Sequence, residues 1–94
     1  MNAPVEARVN LFVRPKQMRA AAAYVDREYG DYGYTMAVAW AGYHVAVWEV
    51  RHFDGSRFNL IVDEWENVTR IPDGTTTEEA EEMVLRITAE ASKP

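Results

Sequence analysis

The chain has 94 residues, of which 48% are hydrophobic and 12% aromatic, and its formal net charge is −5. This composition predicts a single folded domain over residues 1–94, because disordered chains lack the aromatic and β-branched residues that offset chain entropy. The absence of cysteine excludes disulfides and thiolate metal or redox chemistry, and it favours a reducing, cytoplasmic compartment. No apolar run approaches the ~20 residues of a membrane-spanning helix and no signal-peptide pattern is present, so we expect no membrane partner.

The first third of the chain predicts a strand followed by a helix. Residues 1–4 are expected to fray, and residues 5–13 alternate apolar and polar side chains as a half-buried strand does. Pro15 suits the first turn of a helix, the alanine run that follows favours helix, and Gly30 is the expected stop. The apolar residues at helical spacing, which predict the buried stripe, are Met18, Ala21 or Ala22, Val25 and Tyr29.

Residues 34–65 predict two consecutive β-hairpins, with turns at Ala41-Gly42 and Asp54-Gly55. Three-residue loops ending in glycine place the large apolar side chains of both hairpins on one face, whereas a two-residue loop at Asp54-Gly55 sets Glu49 against Leu60. The predicted pairs of the second hairpin are Val50 with Phe58, Trp48 with Leu60 and Ala46 with Val62. Those of the first hairpin are Val38 with His44, Met36 with Ala46 and Tyr34 with Trp48.

The last third predicts a short strand and a second helix. A turn at Glu66-Asn67 precedes a strand over residues 68–71, and Pro72-Asp73-Gly74 breaks the chain. Thr75 or Thr76 with a glutamate three residues later predicts a capping box for a helix that runs to about Ala91, and residues 92–94 are expected to fray. Its predicted buried stripe consists of Ala80, Val84, Ile87 and Ala91, with Met83 beside it. The expected fold is α+β, an antiparallel meander of three or four strands in the order β-α-β-β-β-(β)-α, with both helices packed on one face.

The helix, three strands, helix order of residues 16–91 resembles the double-stranded-RNA-binding domain. In that family the second helix begins with a lysine-rich phosphate clamp, whereas this chain has Thr77-Glu78-Glu79-Ala80-Glu81-Glu82 there. Residues 1–30 carry five basic and three acidic side chains, but residues 31–94 carry five and twelve. Binding of nucleic acid is therefore disfavoured, and as an alternative it depends on a cationic patch of Arg14, Lys16 and Arg19.

No motif for catalysis, metal binding or cofactor binding is recognisable. His44 and His52 lie on one predicted strand about 27 Å apart and cannot share a metal, and neither Ser56 nor Ser92 has a base beside it. The five glycines all fit turns, which leaves no phosphate-binding loop. We predict no catalytic, metal-binding or cofactor-binding residue. The enzymatic alternative would use Glu49 and Asp63, which share a face in the predicted register.

The sheet face opposite the predicted helices has an apolar middle and aromatic ends, which predicts an interaction surface. The candidate interface consists of Ala37, Trp40, Tyr43, Val45, Val47, Ile61 and Trp65. Besides the cationic patch, Glu78, Glu79 and Glu82 form an acidic patch that either binds a basic partner or caps its own helix. The leading hypothesis is a small non-catalytic protein-interaction module, of which homodimerisation is the simplest version.

The short cysteine-free length, the Ala/Arg/Glu-rich helices and the turn His52-Phe53-Asp54-Gly55-Ser56-Arg57-Phe58 resemble the style of small orphan proteins of actinobacterial phages. This resemblance implies a protein that binds a host protein and inhibits or redirects it.

Overall fold

A computed structural model describes residues 14–30 and 33–93. Two helices flank a run of four strands, which are α1 (Pro15–Tyr29), β1 (Tyr34–Ala41), β2 (Val45–His52), β3 (Arg57–Asp63), β4 (Val68–Arg70) and α2 (Thr77–Ala91). The strands form one antiparallel sheet in the order β1-β2-β3-β4. The predicted α+β class and antiparallel meander are confirmed. The strand predicted for residues 5–13 and the fraying predicted for residues 1–4 lie outside the described residues.

The hairpin of β2 and β3 has the predicted register, with Val50 opposite Phe58, Trp48 opposite Leu60 and Ala46 opposite Val62. Its three-residue loop ends in Gly55, which has a φ of 94°, a value that glycine adopts without strain. The Asp54 carboxylate accepts hydrogen bonds from the Ser56 amide at 2.8 Å and the Ser56 hydroxyl at 2.7 Å. Local turn chemistry therefore fixes this register, as the sequence predicted.

The predicted register of the hairpin of β1 and β2 is wrong by four residues, because Val38 pairs with Trp48 and not with His44. Tyr43 and His44 belong to the loop, which closes where the Gly42 amide donates to the Val45 carbonyl at 2.8 Å. The strand propensity of this stretch made the predicted strand too long. A shift of four residues is even, so the side chains up to Val38 still lie on the predicted face.

The prediction that both helices pack on one face is wrong. Helix α1 covers one face, where Ala21 and Val25 pack in a buried cluster with Ala46, Trp48, Val50, Leu60 and Val62. Helix α2 covers the other face, where Met83, Val84 and Ile87 pack against Val45, Val47 and Ile61. The physical reason lies in β2, whose residues from Val45 to Trp48 are all buried. A strand that is apolar on both faces needs a cover on each side.

Helix α1 ends at Tyr29 with Gly30 as its C-cap, in agreement with the predicted stop, but one residue of its predicted buried stripe is wrong. Met18 is 47% exposed, and Gln17 is buried in its place with 2% exposure. The Gln17 amide can be buried because its Nε2 donates to the carbonyls of His44 and Val62, both at 3.4 Å.

Helix α2 begins with the predicted capping box. The Glu79 amide donates to the Thr76 hydroxyl at 3.2 Å, and the Thr76 amide donates to the Glu79 carboxylate at 2.9 Å. The helix runs to Ala91, which is buried with 5% exposure. Its start and end thus agree with the prediction, and only the face that it covers differs.

Candidate interaction groove

A groove of about 690 Å³ runs along one side of α2, between the helix and the sheet face that α2 covers. We call it the α2 groove. Its floor is formed by Val47 on β2, Asn59 on β3 and Ile71 just after β4. One wall is Trp40 at the end of β1, and the other wall belongs to α2 and the loop before it. The residues of this second wall are Thr75, Thr76, Thr77, Ala80, Glu81, Val84, Leu85 and Thr88.

A β-bulge in β1 brings Trp40 into the groove. Val38 pairs with Trp48, but Trp40 pairs with Val47, so Ala39 is one extra residue on β1. Paired residues of antiparallel strands share a face, and the bulge therefore places Trp40 on the α2 face although Val38 lies on the α1 face. The indole rests against Gly42, where any Cβ would collide with the ring. Its side chain remains 49% exposed.

Helix α2 turns a second apolar side chain towards the same space. Val84 and Ile87 pack on the sheet, whereas Leu85 lines the groove with 69% exposure. The capping box fixes the start of the helix, and the Trp65 indole Nε1 donates to the Ala91 carbonyl at 3.2 Å near its end. Both ends of α2 are therefore held, which gives the groove a defined wall.

Most candidate interface residues have different surroundings from those predicted. Val45, Val47 and Ile61 are buried beneath α2 with exposures of 1%, 9% and 0%, so they do not form an open face. Among these three residues only Val47 reaches the groove, where the structure brings it together with Trp40. Ala37 is exposed on β1. Tyr43 and Trp65 are also exposed, but they do not line the α2 groove.

Sequence reasoning missed several groove residues, including Asn59, Ile71, Glu81 and Leu85. One signal was present, because Leu85 is a large apolar residue that lies beside the predicted stripe of α2 and not in it. The bulge at Ala39 left no comparable signal in the sequence. The groove as a whole depends on the packing of α2 against the sheet face that was predicted to be free.

At one end of the sheet, a carboxylate connects α1 to the β2 and β3 strands. Glu64 Oε2 accepts from Arg14 Nη1 and Glu64 Oε1 lies beside His44 Nδ1, both at 2.9 Å. The hydrogen bond with His44, and then that with Arg14, holds the pKa of the Glu64 carboxyl below its ordinary value. Together with Gln17, this contact attaches the N-terminus of α1 to the sheet.

Some residues of the two predicted charge patches make contacts within the protein itself. Arg14 pairs with Glu64, and the Lys16 ammonium lies 5.9 Å from the centre of the Trp65 ring. Arg19 is exposed on α1. In the acidic patch, the hydrogen bonds of the capping box lower the pKa of Glu79, while Glu78 and Glu82 are exposed on α2. For Glu78 and Glu82, both predicted roles of the acidic patch, binding a basic partner and capping the helix, stay predictions.

Glu49 and Asp63, the residues of the enzymatic alternative, are not brought together. Glu49 pairs with Asn59 and Asp63 pairs with Val45, which puts the two four positions apart along β2, a separation of roughly 13 Å. Glu49 accepts from Arg51 Nε at 2.7 Å. The Asp63 carboxylate accepts from the amides of Trp65 and Asn67, both at 2.9 Å. Each carboxylate is held by its own neighbours.

Within residues 14–30 and 33–93, no group of three or more histidine and acidic side chains is arranged to hold a metal ion. Neither α1 nor α2 is long and apolar enough to cross a membrane. Comparison of the chain with protein-family models, with curated proteins and with solved structures found no match.

Proposed function

We propose that this protein is a non-catalytic protein-interaction module and that its α2 groove receives a segment of a partner protein. One observation carries the proposal: Trp40 and Leu85, exposed by 49% and 69%, stand on the two walls of a groove whose floor contains the nearly buried Val47. Large apolar side chains left exposed around a concave surface are typical of interaction sites. A partner that covered both side chains would gain their burial from water.

The shape of the groove favours a peptide segment over a small molecule. Its helical wall extends from Thr77 to Thr88, about 17 Å along the α2 axis, which matches about five residues of an extended chain. Small-molecule sites typically bury 70–90% of the ligand, which requires more enclosure than two half-exposed walls provide. A segment that belongs to a folded partner can instead cover the groove from above.

The resemblance to small phage proteins supports a host protein as that partner, which binding would inhibit or redirect. A second copy of the chain is the competing occupant. A symmetric dimer of this kind would be detected by sedimentation of the free protein, so the two occupants can be separated before any partner is known.

The test is an affinity selection with a display library of random twelve-residue peptides, first on the wild type and then on Leu85→Ala. We expect groups of related peptides that bind the wild type and bind Leu85→Ala at least tenfold more weakly, because the leucine side chain supplies one wall. Tyr43→Ala is the matched control, since Tyr43 is 72% exposed and does not line the groove. Circular dichroism should show the same fold for all three proteins.

Two results would overturn the proposal. The first is a selection that yields no peptide whose binding depends on Leu85. The second is a dimer in sedimentation that Leu85→Glu dissociates, because the groove would then be filled by a second copy of the chain.

A further inference from the structure

We propose that the segment bound in the α2 groove carries a lysine or arginine side chain that is held by Glu81, an inference that rests on the proposed function. Among the described residues that line the groove, Glu81 is the one with a charged side chain. It lies one turn from Leu85 on the same wall, so a partner that packs an apolar side chain on Leu85 would bring its neighbouring residues to Glu81.

The surroundings of Glu81 add to the negative electrostatic potential of this wall. Glu78 and Glu82 are neighbours on the same helix, and none of the three has an ion-pair partner in the described part of the chain. On this sheet face, β2 and β3 carry two basic residues that lie opposite each other, Arg51 and Arg57. They lie 2.7 Å and 3.9 Å from Glu49, so their charges are partly neutralised. The groove wall thus attracts cations.

Several hydrogen-bonding groups of the groove can accept from a ligand that donates. The hydroxyls of Thr75 and Thr88 already donate to the carbonyls of Pro72 and Val84, at 2.6 Å and 2.7 Å. Asn59 Nδ2 donates to the Trp48 carbonyl at 3.3 Å. The two hydroxyl oxygens therefore present lone pairs to a ligand, as the Glu81 carboxylate does, and Asn59 keeps its Oδ1 lone pairs and one N–H. Ammonium and guanidinium groups have several N–H donors and no acceptor, which suits such a surface.

The opposite wall of the groove suits a basic side chain as well. Trp40 exposes about half of its surface, and an indole ring attracts ammonium and guanidinium groups through its negative face. The long hydrocarbon stem of lysine or arginine can lie over Val47 and Ile71 while its head reaches Glu81. Both the apolar floor and the acidic wall are then used by a single side chain.

The experiment uses the peptides selected on the wild type and measures their affinity for Glu81→Gln and Glu82→Gln. The two variants change the net charge equally, but Glu82 does not line the groove. We expect lysine and arginine to be enriched in the selected peptides, and Glu81→Gln to weaken their binding by roughly threefold to tenfold while Glu82→Gln has a smaller effect. Replacing the basic residue of a peptide by glutamine should remove the difference between the wild type and Glu81→Gln.

The outcomes separate this inference from the function on which it rests. Peptides that depend on Leu85 but show no basic enrichment, or bind Glu81→Gln as tightly as the wild type, would overturn the inference and leave the interaction module standing. Equal losses with Glu81→Gln and Glu82→Gln would indicate attraction to the net charge and would also overturn it. A selection without any Leu85-dependent peptide would overturn both proposals.

Discussion

The two faces of the sheet are covered by helices of equal length, yet they are built differently. The α1 face holds a cluster of seven buried residues, whereas the α2 face has three, and the α2 side chains packed against them are only partly buried. Helix α1 also buries Gln17, whose amide is bonded to β2 and β3 neighbours. The α1 face is a closed core, and the α2 face is a partial cover with the groove beside it.

This difference indicates a division of roles between the faces. The larger buried cluster removes more apolar surface from water, so we expect the α1 face to contribute the larger share of the hydrophobic stabilisation. The α2 face leaves Trp40 and Leu85 in contact with water, and a partner can bury them without disturbing the α1 core. Substitutions that separate stability from binding test this division.

The largest expected effect compares two leucines that are changed in the same way. Leu60→Ala in the α1 core, where the side chain is fully buried, should lower the free energy of unfolding by about 2–5 kcal/mol because it leaves a cavity. Leu85→Ala, at 69% exposure in the groove wall, should change it by no more than about 0.5 kcal/mol. Urea denaturation of both variants measures this. Similar losses for the two variants would contradict the division of roles, because they would show that the Leu85 side chain contributes to stability as much as a core leucine does.

A second substitution tests the turn between β3 and β4, which comes before α2 in the chain. Asp63, a residue with 7% exposure, accepts through its carboxylate from the amides of Trp65 and Asn67, and Asp63→Ala leaves these donors without that partner. We expect a loss of about 1–3 kcal/mol in the free energy of unfolding by urea denaturation. Asp73→Ala is the control, because its side chain is 80% exposed and makes one ion pair with Arg70, which predicts a loss below about 1 kcal/mol. Equal losses would contradict a structural role for the Asp63 carboxylate.

The smallest expected effect is the pH-dependent contribution of the Glu64 carboxylate to the free energy of unfolding. This carboxylate links the N-terminus of α1 to the sheet. The folded-state pKa of Glu64 lies below its ordinary value of 4.5, so its ionised form is favoured by folding. Its contribution to stability is present above about pH 4.5 and is lost as the pH falls through the lower folded-state pKa. Unfolding of the wild type and Glu64→Gln, measured from neutral to acidic pH, should show a difference that shrinks on acidification. A difference that grows on acidification would reverse the assigned direction.

The elements that sequence reasoning found are those fixed by local chemistry. Gly30 ends α1, the Asp54-Gly55 turn sets the register of β2 and β3, and Thr76 with Glu79 starts α2. Each of these signals involves neighbours within a few residues, so the sequence alone contains the cause. The predicted strand over residues 68–71 is confirmed as β4 for the same reason.

The features that were mispredicted depend on residues far apart in the chain. The apolar side chains Val45, Val47 and Ile61 were recognised as a group, but an apolar sheet face is equally consistent with a free interface and with a covering helix. Only the packing of α2 decides between them, and it buries these three residues. The contact between His44 and Glu64, twenty residues apart, likewise follows from the fold and not from any local pattern.

The extra residue in β1 sets Trp40 apart from the usual alternation of side chains along a strand. In a regular strand Trp40 would share the α1 face with Val38, two residues before it, whereas the bulge at Ala39 places it opposite Val47. Deleting Ala39 would remove the bulge and still leave the tryptophan opposite Val47, because the residue that follows Val38 in a regular strand pairs there. The aromatic wall of the groove therefore tolerates the loss of this one residue, and strict alternation along β1 would place Trp40 on the wrong face.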